Sequence, residues 1–203
     1  MVEKRLTSLF HLVYYILKLN FFFSIFTLLG FVIFGFGPSL MALISVHKEA
    51  NFQYTLVSFR RYFESFKENY RFSMQLTLFY GAGFLLLYYS LFISTQMRGI
   101  LYLMINFLLI ALLLFFVVAY FNAMILYQNY DVKFLDLVKL SFILIFLVPK
   151  KTLGIVSLSA LPIVVSVIYP AFIFFLFSTV VVLYMLIEND LTEKIEEFTE
   201  LTG

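Results

Sequence analysis

Residues 19–46 read LNFFFSIFTLLGFVIFGFGPSLMALISV and contain no Asp, Glu, Lys, Arg or His. Three further runs, residues 72–95, 99–127 and 152–187, lack these residue types as well. At a rise of about 1.5 Å per residue, a helix over any of the four runs exceeds the roughly 30 Å hydrocarbon core of a bilayer. The sequence therefore predicts an all-α fold, a polytopic integral membrane helix bundle.

Composition supports this class. Of the 203 residues, 63% are hydrophobic and 13% are charged, whereas soluble domains usually carry about 25% charged residues. The longest polar stretch, residues 47–71, is too short to bury a core of its own. Because the chain has no cysteine, disulfides, thiolate metal sites and cysteine nucleophiles are excluded. We expect residues 1–203 to form a single membrane domain, with residues 188–203 as a solvated acidic C-terminal tail.

We expect about five spanning helices, with four to six compatible with the sequence. The predicted spans lie near residues 19–46, 72–95, 99–127, 152–168 and 170–187. The last two are separated because Pro162 and Pro170 can break a run that is too long for one crossing.

The first span carries a candidate structural break at Gly35, Gly37 and Pro38, where Pro38 is suited to begin a new helix. Two arrangements are compatible with this break. A single broken crossing places the N-terminus outside, whereas a re-entrant arrangement keeps it inside, which the basic residues near the N-terminus favour.

Basic residues predict the orientation of the chain, because Lys and Arg accumulate in short cytoplasmic loops. Residues 47–71 contain five of them and residues 128–151 contain four. Both regions are therefore expected on the cytoplasmic side of a multi-pass cell membrane protein, and loop 47–71 in particular is predicted to be cytoplasmic.

Two shorter helices are predicted at the membrane surface, near residues 53–71 and 132–148. The first is amphipathic, because its aromatic residues recur at helical spacing and charged residues fill the other faces. These aromatic residues are Phe59, Tyr62, Phe63, Phe66 and Tyr70. The stripe fits either a helix in the lipid headgroups or a docking face for a partner protein. The second helix is interpreted as interfacial or partly re-entrant, with a true span as the alternative.

Candidate interaction residues therefore include Phe59, Phe63, Phe66 and Tyr70. A second candidate set lies in the following span, where Ser73, Thr77 and Gly81 recur every four residues. Small residues at this spacing let another helix approach closely. The spacing does not reveal whether that helix belongs to the same chain.

The sequence contains no motif of a catalytic, cofactor-binding or metal site. It has no phosphate-binding glycine loop, no paired metal ligands and no Ser, His and acid set that could converge in one pocket. We expect no enzyme activity, no cofactor and no metal. The basic loop is short and its charges are balanced by acidic residues, so nucleic acid is not an expected partner. The expected partner is the lipid bilayer.

Two short motifs resemble a known family. Asn20 opens the first apolar run, Gly37 to Leu43 read GPSLMAL, and Phe63 to Tyr70 read FESFKENY before the second span. Together they resemble the YesL-like family of small bacterial membrane proteins. The resemblance implies no established biochemical activity. It does imply genes that often lie beside those of carbohydrate ABC transporters in Gram-positive bacteria.

Three hypotheses about function follow. The first is a noncatalytic accessory or regulatory protein that contacts the permease or sensor subunits of a carbohydrate ABC transporter system. The second is a small-solute transporter or channel, with the proline breaks framing a site between discontinuous helices. The third, an enzyme acting on a lipid or saccharide carrier, has only Ser, Tyr, Asn and interfacial charges to use.

Overall fold

The computed structural model describes residues 2–130, 132–150, 154, 157, 164–165, 167–169 and 178–185, with side chains from Phe10 onward. Every regular element in this part of the chain is an α-helix. The helices are α1 (Val2–Leu29), α2 (Ile33–Ala50), α3 (Phe59–Glu68), α4 (Tyr70–Thr95), α5 (Ile100–Asn129) and α6 (Phe134–Leu147). The all-α membrane bundle is confirmed.

Three of these helices are long and apolar enough to cross a membrane. They are Phe10–Leu29 within α1, Tyr70–Thr95 and Ile100–Asn129. The last two agree with the predicted spans near 72–95 and 99–127. The predicted spans near 152–168 and 170–187 lie largely outside the described residues, and the predicted tail 188–203 lies wholly outside them.

The chain divides into two compact units. Unit 1 contains Met1–Asn69 and Lys150–Gly203, and unit 2 contains Tyr70–Pro149. Helices α1, α2 and α3 therefore belong to unit 1, and helices α4, α5 and α6 to unit 2.

In unit 1, α1 and α2 form an antiparallel hairpin. The Ser39 hydroxyl donates to the Phe23 carbonyl oxygen (2.8 Å), and nearer the open end His47 contacts Tyr15. At the closed end the chain reverses within residues 30–32. This reversal places Phe31 and Val32 at positive φ, 57° and 61°, values that side-chain-bearing residues rarely adopt.

The predicted break at Gly35, Gly37 and Pro38 is wrong in position. All three lie inside α2, which continues through Pro38 to Ala50, and the chain turns several residues earlier. In the second turn of a helix, a proline costs one backbone hydrogen bond, which the packing of α2 can offset. Gly35 has a different role, because a Cβ there would lie 2.5 Å from the Thr27 carbonyl oxygen. It lets the two backbones touch.

The predicted single span near 19–46 is therefore two helices. Because α2 runs back along α1, Ala50 and the beginning of the apolar part of α1 lie at the same end of the hairpin. This return excludes a single broken crossing in which the chain continues to the opposite side.

In unit 2, α4 and α5 are antiparallel. The rings of Phe72 and Tyr127 stack at 3.9 Å between centroids, and Thr77 contacts Tyr120. Helix α6 then packs antiparallel to α5, with Asn122 donating to the Ser141 carbonyl oxygen (3.2 Å). Its 14 residues make about 21 Å of helix, alongside the second half of α5. This packing fits a partly re-entrant helix rather than one lying across the bundle.

Candidate functional site

Helix α3 divides its side chains cleanly into two faces. Ser58 caps its N-terminus, its hydroxyl accepting from the Arg61 backbone N–H (3.3 Å). At 3.6 residues per turn the aromatic residues share one side of the helix. The opposite side carries Arg60, Arg61, Glu64, Lys67 and Glu68.

Tyr62 anchors this helix to the hairpin. Its side chain is fully buried, its hydroxyl donates to the Ser39 carbonyl oxygen of α2 (2.6 Å), and its ring stacks on Phe26 of α1 at 5.0 Å. Burial raises the pKa of Tyr62 above its ordinary value, and the hydrogen bond to Ser39 offsets part of that rise. One residue thus joins all three helices of the hairpin region.

Phe26 is the centre of the aromatic contacts. Besides Tyr62, the rings of Phe59 and Phe66 lie 5.2 Å from its centroid, and that of Phe63 lies at 6.1 Å. The predicted interaction residues Phe59, Phe63 and Phe66 are therefore brought together, but against their own chain.

Part of the aromatic stripe nevertheless remains uncovered. Phe59 is 52% exposed and Phe63 is 48% exposed, and their rings are nearly parallel at 6.5 Å between centroids. We call Phe59 and Phe63, with the neighbouring charged residues Arg60, Glu64 and Lys67, the α3 surface. Its two aromatic rings pack on Phe26 on their inner side, and its charged side chains face outward.

Two charges of the α3 surface, Arg60 and Glu64, are paired along the helix. Arg60 Nε lies 2.9 Å from Glu64 Oε1, one turn away. The hydrogen bond to Glu64 raises the pKa of Arg60. Both side chains are exposed, 88% and 53%, so solvent screens the pair and it contributes little stability. Its charges stay accessible to lipid headgroups or a protein partner.

The remaining predicted interaction residues belong to unit 2. Tyr70 is the first residue of α4 and is half-buried. Ser73 is buried, and the Thr77 hydroxyl donates to the Ser73 carbonyl oxygen (2.7 Å) and lies 2.9 Å from the Tyr120 hydroxyl. The structure therefore uses Ser73 and Thr77 for packing within unit 2.

Gly81 does not mark a close helix contact. A Cβ at Gly81 would meet no atom within 4 Å, whereas one at Gly83 would overlap the Phe116 ring of α5. The close approach in α4 thus depends on Gly83, which the small-residue spacing did not select.

A buried pair that sequence reasoning missed joins Tyr15 and His47. The Tyr15 hydroxyl lies 2.6 Å from His47 Nδ1, and the imidazole meets the Phe52 ring edge-on at 5.0 Å. His47 is 5% exposed, and burial lowers its pKa to about 4. It is therefore neutral at pH 7, and it shares a hydrogen bond with the Tyr15 hydroxyl in which the imidazole tautomer sets the donor.

A second missed network lies in unit 2. The Ser141 hydroxyl donates to the Val138 carbonyl oxygen (2.6 Å), so the Tyr80 hydroxyl donates to Ser141 Oγ (2.6 Å). Asn122 contributes the bond to the Ser141 carbonyl described above. This network joins α4, α5 and α6. No group of three or more His, Cys, Asp or Glu in the described part of the chain could hold a metal ion.

Comparison with protein families places this geometry in context. Residues 16–91 match the model of a family of proteins of unknown function, DUF624. The DUF624 region covers a little over a third of the chain. It contains the second half of α1, all of α2 and α3, and most of α4, and hence the Tyr62 anchor and the whole α3 surface. No curated protein and no solved structure matches the chain.

Proposed function

We propose that this protein is a noncatalytic accessory or regulatory partner of a carbohydrate ABC transporter system, and that the α3 surface contacts a permease or sensor subunit. The observation that carries the proposal is the half-exposed Phe59–Phe63 pair. The YesL-like resemblance supplies the class of partner. The match of residues 16–91 supports that resemblance, because YesL-like proteins belong to the DUF624 family.

The α3 surface has the chemistry of a small protein interface. Aromatic side chains and Arg supply most of the binding energy in protein interfaces, particularly where they are held rigid. Phe59 and Phe63 rest on Phe26, and Tyr62 fixes the helix to the hairpin. A partner would therefore meet a face that is already ordered, so association costs little conformational entropy.

The test is site-specific photocrosslinking in cells at native expression. A benzoylphenylalanine at position 63 should capture a permease or sensor subunit of a carbohydrate ABC transporter, identified by mass spectrometry. The same probe at position 92, an exposed aromatic site on α4, should capture no transporter subunit.

Mutation supplies the matched comparison. Phe63→Ala should abolish co-purification of the transporter subunit in mild detergent, whereas Phe92→Ala should leave it unchanged. Recovery of the protein without a transporter subunit, from cells in which crosslinking at position 63 yields only lipid adducts, would sink the accessory proposal.

A small-solute transporter or channel is the second candidate, and α6 favours it. This helix packs alongside α5 and ends at Leu147, so it is only about 21 Å long. Helices that extend only part of the way through a membrane often frame transport sites. The Gly35–Pro38 segment no longer supports this candidate, because α2 is continuous there. Purified protein in liposomes should then carry a labelled sugar or ion inward. Absence of uptake across a broad panel would remove this candidate.

A further inference from the structure

The closed end of the α1–α2 hairpin is an exposed apolar tip. It extends from Leu28 to Phe34 and contains no charged residue. Its large side chains are among the most exposed in unit 1. They are Leu28 (69%), Leu29 (65%), Phe31 (85%), Val32 (53%), Ile33 (69%) and Phe34 (44%). An apolar patch of this kind would promote aggregation if it faced water, so it marks contact with an apolar partner.

The tip continues into a stripe along α1. Exposed apolar side chains recur here at helical spacing, at Phe10, Tyr14, Leu17, Phe21 and Leu28. The opposite end of the hairpin is different, because it carries the exposed Lys48 and Glu49 and the partly exposed Lys18. The hairpin is thus apolar at its tip and charged at its open end.

Helix α3 sets the depth of this hairpin. Its charged side must stay at water or lipid headgroups, since Arg60 and Glu64 are exposed and charges in hydrocarbon are costly. Its aromatic side faces Phe26. Phe26 therefore lies immediately on the membrane side of a surface helix.

The short distance from Phe26 to the tip does not allow the hairpin to cross the membrane. Helix α1 extends only three residues beyond Phe26 to Leu29, which is about 4.5 Å. With the turn over residues 30–32, the tip reaches about 10 Å past Phe26, against a hydrocarbon core of roughly 30 Å. The inverse placement, with the tip in water, would put Lys18, Lys48 and Glu49 in lipid.

We infer that the α1–α2 hairpin is a monotopic membrane anchor. It enters and leaves on one side of the membrane, with its tip among the acyl chains of that leaflet and its charged end at the water boundary. The apolar stripe of α1 lies obliquely against the same leaflet. The partner of this surface is lipid hydrocarbon. Although α1 is long and apolar enough to cross a membrane, the packing of α3 against Phe26 near the tip does not let it do so.

The test uses the absence of cysteine from the natural chain. Single-cysteine variants are made at the tip (Phe31→Cys, Leu29→Cys, Ile33→Cys), in the exposed loop before α3 (Gln53→Cys) and in the exposed turn after α4 (Met97→Cys). Each is treated with a membrane-impermeant maleimide in right-side-out and in inverted vesicles. Gln53→Cys should be labelled from one side of the membrane and Met97→Cys from the other. The tip variants should not be labelled from either side.

Depth is then measured by labelling the tip variants with a fluorophore in liposomes that contain lipids spin-labelled at successive acyl positions. Quenching should be strongest at shallow acyl positions, with quencher confined to the leaflet on the Gln53 side. Maleimide labelling of a tip variant from the Met97 side, or quenching strongest in the far leaflet, would show that the hairpin crosses. Labelling from the Gln53 side would show that the tip is in water. Each of these results overturns the inference, and three tip positions guard against a single variant that does not fold.

Discussion

Tyr62 is the side chain whose replacement tests the architecture of unit 1 most directly. Tyr62→Phe removes only the hydroxyl that donates to the Ser39 carbonyl oxygen at 2.6 Å, which should cost about 0.5–1.5 kcal/mol. Tyr62→Ala also removes a fully buried ring from between Phe22 and Phe26, and cavities of that kind cost about 3–5 kcal/mol. The free energy of unfolding should therefore fall in two clear steps.

Phe63→Ala is the matched control on the same helix. Its ring is 48% exposed, so truncation removes about half the buried contact and should cost about 1–2 kcal/mol. Unfolding is followed by circular dichroism in mixed micelles over a denaturant series. If Tyr62→Ala were no more destabilising than Phe63→Ala, the assignment of Tyr62 as the anchor of α3 would be refuted.

The same variants separate stability from docking. Tyr62→Phe should keep the transporter crosslink at position 63 because the α3 surface is unchanged. Phe63→Ala should lose co-purification while the helix content of the protein is retained. A loss of co-purification that tracked only the loss of stability across these variants would contradict the proposed role of the α3 surface.

Three further predictions concern single residues. Gly35→Ala should destabilise unit 1 strongly, because its Cβ would meet backbone atoms of α1 that cannot move aside. Gly83→Ala should cost about 1–3 kcal/mol through overlap with an aromatic ring of α5, whereas Gly81→Ala should be neutral or slightly stabilising, since nothing lies near its Cβ. Stability should fall as pH drops from about 6.5 to about 4, because the unfolded chain then binds a proton that His47 in the native state does not. His47→Asn, whose side-chain amide can either donate to or accept from the Tyr15 hydroxyl, should remove that part of the pH dependence.

Denaturant unfolding of each variant beside the natural chain checks all three. Equal stability of Gly81→Ala and Gly83→Ala would contradict the close α4–α5 contact. An unchanged pH profile in His47→Asn would show that His47 does not contribute to the loss of stability in acid.

Apolar runs determined most of the helix content. Two of the four runs without charged residues correspond to α4 and α5 within a few residues, because a bilayer admits long hydrophobic segments only as hydrogen-bonded helices. The aromatic spacing of residues 59–70 likewise predicted α3. That helix has one polar and one apolar face, so its residue order shows which face packs against the rest of the protein.

Where a helix is apolar on every side, residue order does not say which side is buried. In α1, Tyr15 and Phe26 are buried while Tyr14 and Phe21 are exposed, yet all four are aromatic. The same degeneracy hid the Tyr15–His47 pair, because its partners are 32 residues apart. Hydrophobic periodicity cannot locate such contacts when lipid and protein interior favour the same side chains.

The sequence by itself thus determined that the chain is an α-helical membrane protein with an amphipathic helix between apolar segments, because hydrophobicity and its period depend on composition and order alone. Only the tertiary structure decided where the first segment turns. Gly35 and Pro38 suggest a break when they are considered locally. In the folded chain Gly35 lies where two backbones touch, the turn moves to residues 30–32, and Pro38 is held inside a buried helix. Long-range packing therefore determined the position of the turn, and a local signal cannot report it.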